Sequence, residues 1–197
     1  MSARAGMAEI IAELRALGAA GTADFSIAGV AYFTDDQLQA ILDQHRQDWT
    51  AIPLIAQSYQ ENGTTYYYDY FIPPDLGKFW EREASGTAYW RVTDSTGVDQ
   101  GTSLYDVDWD GLKITFAADQ KGTFYCLTGR TFDLNRAAAQ VWRQKAAYYA
   151  MDVDWQTDGH RVNASQASKQ CLAFAEEFEA KAGGVSVQMI RWDGNAR

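Results

Sequence analysis

Between Tyr105 and Phe116 the chain reads YDVDWDGLKITF. Asp110-Gly111 favours a two-residue type I′ turn, because both central positions of that turn need positive φ. Folded about it, the register pairs Trp109 with Leu112, Val107 with Ile114 and Tyr105 with Phe116. All six are apolar and share one face, while Asp108 and Lys113 meet on the other as opposite charges. Turn, pattern and charge agree on a β-hairpin. It lies in the middle of a chain whose two ends carry helical periodicity, and that contrast decides the fold class.

Working outward, Asn62-Gly63 is a second hairpin turn, pairing Tyr59 with Tyr66. Tyr67, Tyr68, Tyr70 and Phe71 follow, and Pro73-Pro74 breaks the strand. A further hairpin around Ser85-Gly86 would join residues 79–82 to residues 89–92. A last strand is expected from Thr123 to Thr128, after a turn at Gln120-Lys-Gly122. The run Tyr66-Tyr-Tyr68 alternates faces, so at least one tyrosine is expected at an interface.

The flanks are helical. Met7, Ile10, Ile11, Leu14 and Leu17 fall on one face, and Gly18-Ala-Ala-Gly21 ends that helix. Thr34 is an N-cap with Gln37 completing a capping box. Asp35 and Asp36 suit the helix dipole, and Phe33 with Leu38 forms a hydrophobic staple. Leu38, Ile41 and Leu42 give the apolar face. This helix is expected to continue to Trp49, with Pro53 beyond it. Asp133 caps a third helix to about Ala150, with a stripe at Leu134, Ala138, Val141, Trp142, Lys145 and Tyr148. Asp152 to Arg161 is polar and reads as a loop. Asn163, with Gln166, starts a last helix whose buried face is Cys171, Leu172, Phe174, Ala175 and Phe178. Gly183-Gly184 closes it, and Val185 to Met189 alternates like a strand. The expected fold is therefore α+β. A frame of three to four helices (1–55 and 128–184) packs as one bundle and carries an inserted antiparallel β-domain (56–127), with a tail at 185–197.

Composition narrows the function. Of 197 residues, 47% are hydrophobic and 14% aromatic, which marks a globular chain with aromatics to spare for contact surface. A net charge of −9 opposes sequence-independent gripping of nucleic-acid phosphates. Cys126 and Cys171 lie far apart and read as reduced thiols. Glu9, Glu13 and Arg15 interrupt what would be a signal-peptide core, and no run reaches membrane-span length, so the chain is expected to be made and kept in the cytoplasm.

No constellation spells a reaction. Asp106, Asp108, Asp110 and Gly111 imitate the start of an EF-hand loop, but Ala117 stands where the bidentate Glu is needed. Asp152, Asp154 and Asp158 read as a polar connection. His45 and His160 lack partners at metal-ligand spacing. No nucleophile elbow or phosphate-cradling glycine loop occurs. No enzyme activity, cofactor or metal is expected. Glu81 and Glu83 beside Trp80 and Trp90 leave one alternative, a carbohydrate- or cell-surface-binding module on the aromatic insertion, which needs exposed coplanar tryptophans.

Three stretches carry a resemblance. FTDDQLQAILDQHRQD (Phe33 to Asp48), TGRTFDLNRAAAQVWRQKAAYYA (Thr128 to Ala150) and NASQASKQCLAFAEEFEAKAGG (Asn163 to Gly184) resemble the early helix and the paired long helices of head–tail connector (adaptor) proteins of tailed bacteriophages and prophages. The Leu-Asn-x-Ala-Ala-Ala start and the Ser-x-x-Ser-Lys segment are also similar. The insertion is longer than in the simplest adaptors. The resemblance implies a homo-oligomeric ring, usually dodecameric, in the virion neck. It would bind the portal protein and the stopper or tail-completion protein, extend the DNA channel for genome packaging and ejection, and let DNA pass without specific binding or any membrane. Candidate interface residues are Tyr67, Tyr70, Trp80, Trp90, Asp154, His160, Met189 and Trp192. One consequence of the hairpin register is testable by itself. Trp109→Ala should cost on the order of 3 kcal/mol in a urea titration; wild-type stability would place Trp109 on a binding surface instead of in the core.

Overall fold

The computed structural model describes residues 3–21, 26–27, 30–82, 89–151, 155–157, 160–162 and 164–182. In chain order these form α1 (Ala8–Leu17), β1 (Ser26–Ile27), β2 (Val30–Ala31), α2 (Asp35–Gln44), β3 (Arg46–Pro53), β4 (Ile55–Glu61), β5 (Thr64–Phe71), β6 (Arg91–Asp94), β7 (Tyr105–Asp108), β8 (Lys113–Phe116), β9 (Tyr125–Phe132), α3 (Leu134–Ala150), β10 (Trp155–Thr157), β11 (His160–Val162) and α4 (Ala164–Lys181). The fold is α+β. Antiparallel sheets of order β3-β9-β6 and β4-β5-β8-β7 occupy the middle of the chain, and β1–β2 and β10–β11 are small hairpins.

The helices follow their sequence signals closely. Met7, Ile10, Ile11 and Leu14 are buried along α1. Thr34 and Gln37 form the capping box of α2, and the staple residues Phe33 and Leu38 are both fully buried. The Asp133 carboxylate accepts the Arg136 amide at 3.0 Å and starts α3. α3 is the hub, since α1, α2 and α4 each pack against it. Its Lys145 is buried, donating to the Ala19 carbonyl at 2.8 Å. The apolar face expected for α4 is only partly buried. Cys171 and Ala175 are covered and Phe178 half-covered, but Leu172 and Phe174 each remain 45% exposed. α4 is an outer helix packed chiefly on one neighbour, so a narrow strip suffices to hold it. Both cysteines are free. Asn163 and the tail beyond Ala182 lie outside the described residues.

Four expectations about where elements end and pair need correction. α2 does not run to Trp49; it stops at His45, and Arg46–Pro53 becomes β3 because β9 offers it a full-length partner. β9 continues to Phe132, so residues 128–132 are strand, and the proposed boundaries at 55/56 and 127/128 fall within the β region. Residues 79–82 and 89–92 do not pair with each other. Trp80 bridges Thr131 and β6 pairs with residues 125–128, so both segments lie in line along one edge of β9; Ser85-Gly86 itself lies outside the described residues. The polar loop at 152–161 contains the hairpin β10–β11, with Gln156 opposite Arg161. Its alternating Trp155-Gln-Thr157 and His160-Arg-Val162 flank an Asp-Gly pair, the same signal that marked the central hairpin.

Both other hairpins have the expected registers. Tyr59 faces Tyr66, with positive φ at Asn62 and Gly63. Tyr105 faces Phe116 and Val107 faces Ile114. The second turn is not type I′, however. Positive φ falls on Leu112 (49°) rather than on Asp110 or Gly111. The Asp108 carboxylate accepts the amides of Asp110 (3.2 Å) and Gly111 (3.0 Å). A Cβ at Gly111 would stand 2.5 Å from that carboxylate, so any larger residue would have to displace the Asp108 side chain from these bonds. Lys113 turns instead to Asp69, at 3.5 Å.

The helical and β layers meet at a partly buried ion network centred on Glu81. Arg4, ahead of α1, forms a bidentate pair with Asp43 of α2 (2.7 and 2.9 Å) and bonds Glu81 at 2.8 Å. Glu81 is 1% exposed, and its other oxygen lies 3.9 Å from Arg130 of β9. Arg130 also pairs with Asp48 of β3 at 3.1 Å, and its guanidinium lies 3.6 Å from the centre of the Tyr89 ring. The Asp43 and Glu81 carboxylates hold the Arg4 pKa above its usual value. Beside this network a Cβ at Gly6 would fall 2.1 Å from the Arg82 carbonyl oxygen, so only glycine admits the close approach. Removing one partner leaves a buried charge uncompensated. Arg4→Ala, which would leave the buried Glu81 carboxylate with Arg130 alone at 3.9 Å, should therefore lower stability by about 3 kcal/mol, seen as a shifted urea midpoint at unchanged slope; an unmoved midpoint would show that the network contributes nothing to stability.

Candidate functional site

The aromatic residues divide sharply between core and surface. Tyr70 is fully buried, its hydroxyl donating to the Thr123 carbonyl at 3.0 Å and its ring edge-on to Phe116 and Tyr125. Trp80 and Trp90 are 2% and 3% exposed. These three proposed interface residues are core residues. Alternation along a strand says which side chains share a face, but not whether a second layer covers that face. Tyr67 is half-buried at the bulge where β5 has one residue more than β4. Its amide donates to Asp119 and its carbonyl accepts from Gln120, which ties the bulge to the loop before β9. The backbone of His160 lies at the start of β11. Asp154, Met189 and Trp192 lie outside the described residues.

The glycan alternative needed coplanar exposed tryptophans. Trp80 and Trp90 are instead perpendicular (89°) and buried, with ring centres 5.7 Å apart. The Trp90 indole N–H is buried with no acceptor among the described residues, and Trp90 packs against Trp109 at 4.7 Å. Glu81 is committed to Arg4, and Glu83 lies outside the described residues. Asp108 serves its own turn. His45 caps α2 and contacts Gln140 at 2.7 Å. Among the described residues no group of three or more His, Cys, Asp or Glu is placed to hold a metal, and no helix is long and apolar enough to cross a membrane.

Three surface features remain. The β4–β5 ribbon projects past its pairing with β8, which covers only Asp69–Phe71. It exposes Ile55, Tyr59 and Tyr68, and Tyr66 stacks on Tyr68 at 5.9 Å. β4 is an edge strand exposed along its whole length and carries no charge before Glu61. Such an edge is unprotected against strand addition. On the helical side Met151, Leu172 and Phe174 are exposed, and Phe174 rests against Trp142. Between the layers an open cleft of about 400 Å³ runs from Glu9, Ile10 and Glu13 of α1 to Phe79, Trp109 and Asp110. Of these surface groups the sequence pointed only to the Tyr66-Tyr-Tyr68 run, as carrying at least one interface tyrosine, and Tyr68 is exposed. Exposure of Tyr59 and Leu172 depends on which neighbours are missing, which a pattern does not encode.

No protein-family pattern, curated protein or solved structure matches this chain.

Burial, together with neighbouring Tyr125 and Asp119, pushes the Tyr70 phenol up from 10 to about 12. In the unfolded chain the same phenol ionises near 10, so the native state holds its proton longer. This contribution to stability is complete below pH 10 and is lost as pH rises from 10 to 12. Burial also raises the Tyr125 phenol, so ultraviolet titration should show two of the 11 tyrosines ionising late with Tyr70 last, and Tyr70→Phe should remove the step near 12. A single uniform transition near 10 would contradict it.

Proposed function

We propose that this chain is a head–tail connector (adaptor) of a tailed bacteriophage, forming a homo-oligomeric ring in the virion neck between the portal protein and the stopper or tail. The observation that carries the reading is the frame. The three stretches that resemble adaptors are distant in sequence, yet they supply α2, α3 and α4, which assemble around α3 as the hub. Residues 46–48 and 128–132 depart from the resemblance, being strand.

The surface suits such work. Ring subunits need contact area at two places per copy, since a heterologous interface joins unlike patches. The ribbon with Ile55, Tyr59 and Tyr68 and the helical patch with Met151, Leu172 and Phe174 are two unlike apolar patches. A net charge of −9 favours a lumen through which DNA slides without adhering. The work is binding and channel formation, with no covalent step.

Deleting the gene from the phage genome should yield filled heads without attached tails. Deletion of the residues after Gly184 should leave the fold intact but impair assembly with portal or neck partners. Tail-bearing infectious particles in the absence of the gene would overturn the connector assignment; normal particles from the truncation would remove only the tail's docking role.

A further inference from the structure

One end of the cleft between α1 and the β layer is occupied by Arg82. The Arg82 guanidinium lies 5.4 Å from the centre of the Trp109 ring and ion-pairs with Glu9. An indole face and a carboxylate both attract positive charge, and the arginine stem can lie on apolar surface. The rest of the cleft repeats these components with no cation against the carboxylates. Glu13 stands one turn beyond Glu9 on α1, and Asp110 sits beside Trp109 at the hairpin tip. Neither makes an ion pair among the described residues. Ile10 and Phe79 supply apolar wall. Lys78, the other basic group of the cleft, holds its ammonium 4.9 Å from the centre of the Phe79 ring and makes no ion pair among the described residues.

We propose that this cleft receives an arginine side chain from another protein, with Glu13 and Asp110 as its anionic contacts and Ile10 and Phe79 flanking its stem. A volume of about 400 Å³ accommodates a side chain of that size with part of its backbone. The carboxylates that line the cleft, Glu9, Glu13 and Asp110, outnumber its cations, Lys78 and Arg82, and with 26 acidic against 17 basic residues in the chain a basic segment of a different protein matches it better than a second copy does. The site stands independently of the connector reading, which would simply make the partner a neck protein.

The test is an NMR titration of the full chain with the peptide acetyl-Gly-Arg-Gly-amide, and with its citrulline counterpart as the neutral isostere. Arginine peptide should shift the Trp109 indole and the Ile10 and Glu13 amides saturably, in the millimolar range expected for one side chain. Citrulline peptide should bind about tenfold more weakly or worse, and so should arginine peptide with the Glu13→Gln/Asp110→Asn double variant. Both side chains are exposed, so the variant should keep the wild-type melting temperature. Equal shifts with citrulline, shifts confined to other surfaces, or binding unchanged in the folded variant would each overturn the proposal. So would self-association of the chain that the double variant abolishes, since that would assign the cleft to a second copy.

Discussion

The Arg4 guanidinium, shared between Asp43 and Glu81, sits where the two halves of the molecule meet. One carboxylate belongs to α2 and the other to the segment that bridges to β9, so a single side chain from the N-terminal stretch ties helix to sheet. Arg130 and Asp48 extend the charge sequence across β9 and β3. Glu81 is almost wholly buried and would be costly alone. Its two arginine neighbours offset that cost, and they also fix the register in which the layers meet. A purely apolar junction would tolerate sliding, whereas this one has a single satisfied arrangement.

Around that junction the molecule has two cores. One gathers the apolar stripes of α1, α2 and α3 with Phe132, and the other gathers the inward faces of both sheets around Tyr70, Trp80 and Trp90. β9 contributes to both, Leu127 to one and Phe132 to the other, so the layers are continuous through a strand as well as through charge. The insertion is thus built into the frame and not suspended from it. Features that reach outward, the β4–β5 ribbon and the outer strip of α4, hang from one neighbour each. Rigid interior and thinly attached exterior suit a part that docks with others.

Local signals determined much of this protein by themselves. Capping at Thr34 and Asp133, the Asn62-Gly63 turn and the pairing of Tyr105 with Phe116 are contained within a few residues, and each formed as read. Their physics is short-range: an orphan amide, a positive φ, two side chains across one ladder. Tertiary structure decided the rest. Arg46–Pro53 became strand because β9, about 80 residues away, needed a partner, and that choice overrode continuation of α2. Glu81 became buried and Leu172 exposed for the same reason, since burial belongs to neighbours brought from elsewhere in the chain. The cleft of Glu13, Phe79 and Asp110 joins three distant segments, and no single stretch of sequence contains it.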